Sequence, residues 1–146
     1  MTSPNHPRRL SPLAPPGTLL MRTMALARMM RAKEFNERDA VYMARLRTLP
    51  CIGCGRDHAG EAHHVKLSSG VLGKSLAMGR RPADRWSLPH CPDCHRSGPR
   101  ALHKIGEAPY WQLKRINPLL LCVRLYAAKA DPDKMRAIVL ATLNGR

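Results

Sequence analysis

Cys51-Ile52-Gly53-Cys54 and Cys91-Pro92-Asp93-Cys94 are two Cys-x-x-Cys turns, with Glu61-Ala62-His63-His64 between them and His95 directly after the second. A two-residue spacer lets both sulfurs of a turn point at one ion, and Zn–S bonds of ~2.3 Å require that convergence. The pattern predicts a structural Zn2+ on Cys51, Cys54, Cys91 and Cys94. A redox pair or regulatory disulfide is the competing reading, but a thioredoxin-like alternation of strands and helices is absent. The histidines left over, His63, His64, His95 and His103, can build a second site from imidazoles. Thiolates for a structural ion and imidazoles for a working one are the ligand pattern of a small metal-dependent nuclease.

Adjacent residues on a strand point to opposite faces, so His63 and His64 are expected to divide the labour. His63 would ligate the metal and His64 would act as general base, since neutral imidazole accepts a proton from water near neutral pH. His95 has its backbone fixed by the cysteine before it. His103 follows eight residues later, two turns along if the helix were continuous. Asp84 can ligate the ion, orient a histidine, or simply pair with a neighbouring arginine. His90, between Pro89 and Cys91, is expected to pack beside the zinc. Lys66, Lys74, Arg80, Arg81, Arg96 and Lys104 flank the site and suit phosphate contacts.

These residues need elements to hold them. Residues 1–17 are proline-rich and polar, which predicts a disordered arm. Residues 18–50 contain no glycine, and no proline before Pro50, which predicts one or two helices ending where Pro50 delivers the chain to the first turn. Residues 51–106 form the metal-binding centre. Short strands are predicted at His63-His64-Val65 and Trp86-Ser87-Leu88, separated by a loop from Ser68 to Pro82. Ser97-Gly98-Pro99 reads as a helix start with Pro99 in the first turn. Residues 107–146 are helical in three pieces, 108–117, 119–129 and 132–144, bounded by Pro118 and Pro132.

Composition supports this frame. The 146 residues carry a formal charge of +15, divided as +6 over residues 1–50, +5 over 51–106 and +4 over 107–146. A field spread so evenly attracts polyanions, and nucleic acid is the first candidate. With one Phe, two Trp and three Tyr, the apolar core should be thin and the chain short of bases' stacking partners, which argues against a single-strand RNA reader. A structural zinc would contribute about 10–16 kcal/mol of folding free energy to such a core. Four of five cysteines are paired, no secretory h-region is evident and no apolar run approaches twenty residues. Metal ligation in a reducing cytoplasm, away from any membrane, is the expectation. Cys122, in Leu119-Leu120-Leu121-Cys122-Val123, reads as a buried apolar residue.

Five stretches together resemble a known group: Leu49-Pro50-Cys51-Ile52-Gly53-Cys54-Gly55, Glu61-Ala62-His63-His64-Val65, Arg81-Pro82-Ala83-Asp84, Leu88-Pro89-His90-Cys91 and Leu102-His103-Lys104-Ile105-Gly106-Glu107. They are similar to the HNH (ββα-metal) endonucleases, and within these to the phage and prophage branch of recombinase-dependent, recombination-enhancement nucleases. The likeness spans about residues 34–116. It implies an α+β fold, a zinc-braced, treble-clef-like ββα-metal core with flanking helices, in a bacterial or phage-encoded protein. It also implies His64 as base, His63 and His95 beside a catalytic Mg2+ or other divalent ion, and His103 and Asp84 as active-site residues. The asparagine of the family name is absent: Trp86-Ser87 stands near its place, leaving Asp84 or Ser87 to orient the base.

The resulting expectation is an endonuclease that hydrolyses DNA with low sequence specificity, since no base-reading helix is evident and a recombinase filament could choose the site. The alternative is a non-catalytic, zinc-stabilised DNA-binding module.

Overall fold

Among the described residues the first helix starts behind Asp39, whose carboxylate accepts from the Tyr42 amide at 2.9 Å. Helix α1 (Ala40–Thr48) then buries Tyr42, Met43 and Leu46 on one face and stops at Leu49, whose backbone is extended ahead of Pro50. The computed structural model describes residues 37–75 and 79–146. The arm expected at 1–17 and the helical stretch expected at 18–36 lie outside the described residues.

Strands β1 (Glu61–His64) and β2 (Ser87–His90) pair antiparallel, with His63 opposite Leu88 and His64 opposite Ser87. The second strand starts at Ser87 rather than Trp86, because Asp84–Trp86 forms a 3-10 turn closed by Trp86 N–H to Ala83 C=O. Beyond the hairpin, Val65 N–H donates to Trp86 C=O and Ile52 N–H donates to Pro89 C=O. The latter bond carries the first cysteine turn onto the far side of β2.

A single π-type turn, Asp93–Ser97, carries the last cysteine, Cys94, and His95 after it. The helix expected from Pro99 starts later, as α2 (Leu102–Ile105). The physical reason is Gly98: its amide closes the π turn onto Asp93 C=O, its backbone is extended, and a Cβ there would stand 2.7 Å from that same oxygen. The chain must therefore turn once more before winding.

Helix α3 (Glu107–Lys114) begins directly after Gly106, which takes φ +90° to reverse the chain. Helices α4 (Pro118–Ala127) and α5 (Pro132–Asn144) both open on proline behind a capping side chain. Asn117 accepts from Leu120 N–H and Asp131 from Lys134 N–H. The architecture is α+β, a two-stranded sheet with helices packed round it.

One apolar cluster unites these elements, joining Tyr42 and Leu46 of α1 to Leu88 of β2, Tyr110 and Trp111 of α3, Leu121 and Leu125 of α4, and Met135 and Val139 of α5. Cys122 is fully buried within it. Full burial of each aliphatic chain stabilises by roughly 1.5–3 kcal/mol. Among the described residues, no helix is long and apolar enough to cross a membrane.

Asp39 ties the start of α1 to the end of α4 and the loop after it. Besides capping α1, its carboxylate accepts from Lys129 Nζ at 2.8 Å and from the Tyr126 hydroxyl. The Lys129 hydrogen bond, with the Tyr42 amide, holds the Asp39 carboxyl below its ordinary 3.8. The stabilisation is therefore complete above that value and is lost as pH falls through it toward the lower folded-state value. Asp39→Ala should cost about 1–2 kcal/mol by urea denaturation at pH 7. Asp39→Asn, which keeps the cap, should cost less. Its deficit against the unsubstituted chain should shrink as the pH is lowered below 4.

Candidate functional site

The two cysteine turns meet because Ile52 pairs with Pro89, two residues before Cys91. The Sγ atoms of Cys51, Cys54, Cys91 and Cys94 all lie within 4.8 Å of one another. A tetrahedral ion with Zn–S bonds of ~2.3 Å sets its sulfurs about 3.8 Å apart. Cys54 and Cys91 are separated by 3.7 Å. Amides point inward too, with Cys91 N–H donating to Cys51 Sγ and Cys94 N–H to Cys91 Sγ. Charge is shared unevenly: the Cys94 thiol donates to Cys51 and draws it down to about 5, while Cys94 itself is pushed up by the same contact. Four sulfurs this close resist ionising together, and a dication would remove that conflict. The cluster therefore fits a zinc ion by geometry and by charge.

The packing around this cluster is tight at Gly53. A Cβ there would lie 2.3 Å from the Tyr110 hydroxyl and 2.7 Å from Cys94 Sγ. His90 is fully buried behind Tyr110, their ring centroids 5.7 Å apart, and stands 5.6 Å from the ring of His63. Burial holds the His90 imidazole neutral. It thus fills the wall between the cysteines and the histidines.

Those histidines converge. His63 from β1, His95 from the π turn and His103 from α2 each bring a ring nitrogen within 4.8 Å of the others'. His95 Nε2 and His103 Nε2 are 3.0 Å apart, a separation that one ion bound at about 2.0–2.2 Å to each can span. The eight-residue gap from His95 to His103 is closed by the turn after Gly98 rather than by continuous helix.

Each of two rings is held from behind by a carboxylate. Glu61 Oε2 lies 2.7 Å from His95 Nδ1, which leaves Nε2 facing His103. Glu107 Oε1 lies 2.6 Å from His63 Nε2. Such carboxylate–histidine pairs fix tautomer and ring orientation and raise ligand basicity. Glu107 also accepts from the Lys66 and Leu67 amides, which together with the His63 bond hold its carboxyl below the usual range despite burial. Spacing did not single out either glutamate. The available signals were Glu61 two residues before His63 on one strand, and Glu107 opening a helix after a glycine.

His64 stands apart from the three-histidine cluster yet lines the same open cleft of about 600 Å³. Its Nε2 is 2.9 Å from Asp84 Oδ1 and 3.1 Å from Arg81 Nε. One nitrogen cannot donate to the first and accept from the second. The buried carboxylate is the stronger partner, so Nε2 carries the proton and Nδ1 keeps its lone pair. Burial, chiefly, keeps this imidazole below its ordinary value and hence neutral, against the opposing pull of Asp84. Of the roles open to Asp84, two are filled at once: its Oδ1 bonds His64 and accepts from Arg81 Nη2 at 3.0 Å, and it lies outside the ligand cluster. Asp84 Oδ2 in turn accepts from the Asp39 amide at 2.9 Å.

No family model, curated protein or solved structure matches this chain. The chemistry of the cleft therefore rests on its own geometry.

The basic residues sort into three groups. Lys66, Arg80 and Arg81 line the cleft beside the histidines. Arg96 pairs with Glu61, and Lys104 donates to Ser97 C=O at 2.7 Å, both on the exposed rim. Lys74, expected at a phosphate, is instead 3% exposed: its ammonium donates to Leu67 C=O and packs near the Trp86 ring. The Ser69–Lys74 bridge turns that side chain inward, where it braces the loop.

Gly53→Ala should drive a methyl into the Cys94 sulfur and lower bound zinc well below the unsubstituted chain's content, with a depressed Tm. Elemental analysis and thermal melting check both. Gly70→Ala, which meets nothing within 4 Å and, like Gly53, carries no positive φ, serves as the control for losing a glycine without a clash.

Proposed function

We propose that this chain is a metal-dependent endonuclease of the HNH (ββα-metal) type that hydrolyses DNA phosphodiesters with little sequence preference. The observation that carries the reading is a single cleft holding a three-histidine cluster beside a fourth histidine that is carboxylate-backed and outside that cluster. In this reading the four cysteines would hold a structural zinc, and His63, His95 and His103 would hold a second divalent ion, an all-imidazole set suiting Zn2+ or another transition ion better than the Mg2+ first expected. The resemblance of the sequence to the phage and prophage recombination-enhancement branch fits the same assignment, with a recombinase filament as the partner that would choose the site.

His64 Nδ1 takes the proton from a water placed for in-line attack on phosphorus, while Asp84 holds the ring and stabilises the imidazolium that forms. His63, His95 and His103 would hold the divalent ion, which would supply Lewis-acid stabilisation of the charge that develops on the phosphoryl group. Glu107 and Glu61 keep His63 and His95 in ligating orientation, and Lys66, Arg80 and Arg81 neutralise the flanking phosphates.

Nicking of supercoiled plasmid by protein carrying one zinc per chain, with a second divalent ion (Mg2+, Mn2+, Ni2+ or Zn2+) supplied or omitted, tests this. Nicking should require the added ion. His64→Ala should lower the rate by about 10²–10⁴-fold while zinc content and DNA affinity stay level. A variant that cuts at the unsubstituted rate removes His64 from the mechanism. An unsubstituted protein that takes up zinc and binds DNA but leaves the plasmid intact is a binding module, not a nuclease.

A further inference from the structure

Beside the cleft runs a second groove, of about 780 Å³, between the segment Lys66–Ser68 on one side and α3 with the start of α4 on the other. Lys66 lines both cavities, so the two meet at one lysine. The groove is absent from the chemistry described above, which ends at Glu107.

Its donors have no work inside the fold. The side chains of Lys66, Gln112 and Arg115 are exposed and make no hydrogen bond or ion pair among the described residues. Arg115 sits at φ +53°, the left-handed residue that ends α3, so its side chain leaves the helix axis beside the groove. Trp111, 3% exposed, stands in the wall, and its indole N–H has no acceptor. A buried donor left so is unusual and costs about 1–3 kcal/mol. The ten-residue helix α4 begins at the same place, its positive dipole end behind Asn117 and Pro118. The acidic side chain of the wall, Glu107, is already engaged by His63 and by the Lys66 and Leu67 amides. Leu67, Ile116 and Leu119 make the rest of the lining apolar.

An apolar trough walled by unengaged donors, continuous with a phosphodiester cleft, suits a nucleic-acid strand: phosphates on the cations, sugar and base edges on the floor. We infer that the strand passing through the cleft continues across Lys66 into this groove, with Arg115 and Gln112 as binding residues distant from the scissile phosphate. This rests on the nuclease reading for the direction of the strand, not for the affinity of the groove.

The test uses the zinc-loaded full chain and the double variant Gln112→Glu, Arg115→Gln, both surface positions outside the catalytic set. Affinity for a twenty-nucleotide DNA, measured by fluorescence anisotropy without added magnesium, should fall about tenfold or more. The slope of log K against log salt should lose about one unit of magnitude. Hydrolysis of bis(p-nitrophenyl) phosphate, which reaches only the cleft, should be unchanged, while KM for plasmid rises.

Equal affinity and equal salt slope for the double variant and the unsubstituted chain overturn the inference. So does a change confined to sedimentation mass, which would assign the groove to a second copy. If the unsubstituted protein cuts neither substrate, the nuclease reading fails, and the anisotropy comparison still decides the groove.

Discussion

The convergence of two cysteine turns on one point governs the geometry of everything around it. The Ile52 amide on Pro89 C=O and the Cys91 amide on Cys51 Sγ lock the first turn against the end of β2. Because Cys94 and His95 are consecutive, the placement of the sulfurs dictates the placement of an imidazole. The hairpin register does the same for His63. Two anchors so close together leave the histidines little freedom, and the third, His103, is brought in by a chain reversal enforced at Gly98. A small core poor in aromatic residues can hold such a site because the constraint is local and does not depend on extensive packing.

Carboxylates complete the arrangement. Glu61, Glu107 and Asp84 each take one ring nitrogen of a different histidine and leave the other ring nitrogen available. Their surroundings differ in a way that matches their tasks. Glu107 is fastened by backbone amides and cannot easily follow its histidine away. Glu61 is partly buried and shares its charge with exposed Arg96. Asp84 is buried and shares its charge with an arginine and a helix-opening amide. A net charge of +15 says little about any of this; what counts is which cations reach the cleft and which, like Lys74, are turned inside.

The parts of the structure legible in the sequence are those written in short-range spacing. The cysteine pairs declare themselves by a two-residue spacer, and the opposite facing of His63 and His64 follows from strand geometry. Pro118 and Pro132 mark the starts of two helices because proline suits a first turn and its neighbours Asn117 and Asp131 can cap. What escaped were relations made only by the fold. Glu61 and Glu107 meet their histidines across thirty-four and forty-four residues. Lys74 looked like its basic neighbours until the loop bridge turned it toward Leu67. Pro99 carried the ordinary mark of a helix start, but Gly98 was already occupied in closing the turn before it.

One thread runs from the loop between α4 and α5 to the cleft: Lys129 to the Asp39 carboxylate, the Asp39 amide to Asp84, and Asp84 to His64. Its middle joint is a main-chain bond, so the loop between α4 and α5 acts on the imidazole without any side chain of its own approaching it. The junction of two outer helices thereby becomes part of the instrument that sets which ring nitrogen is bare.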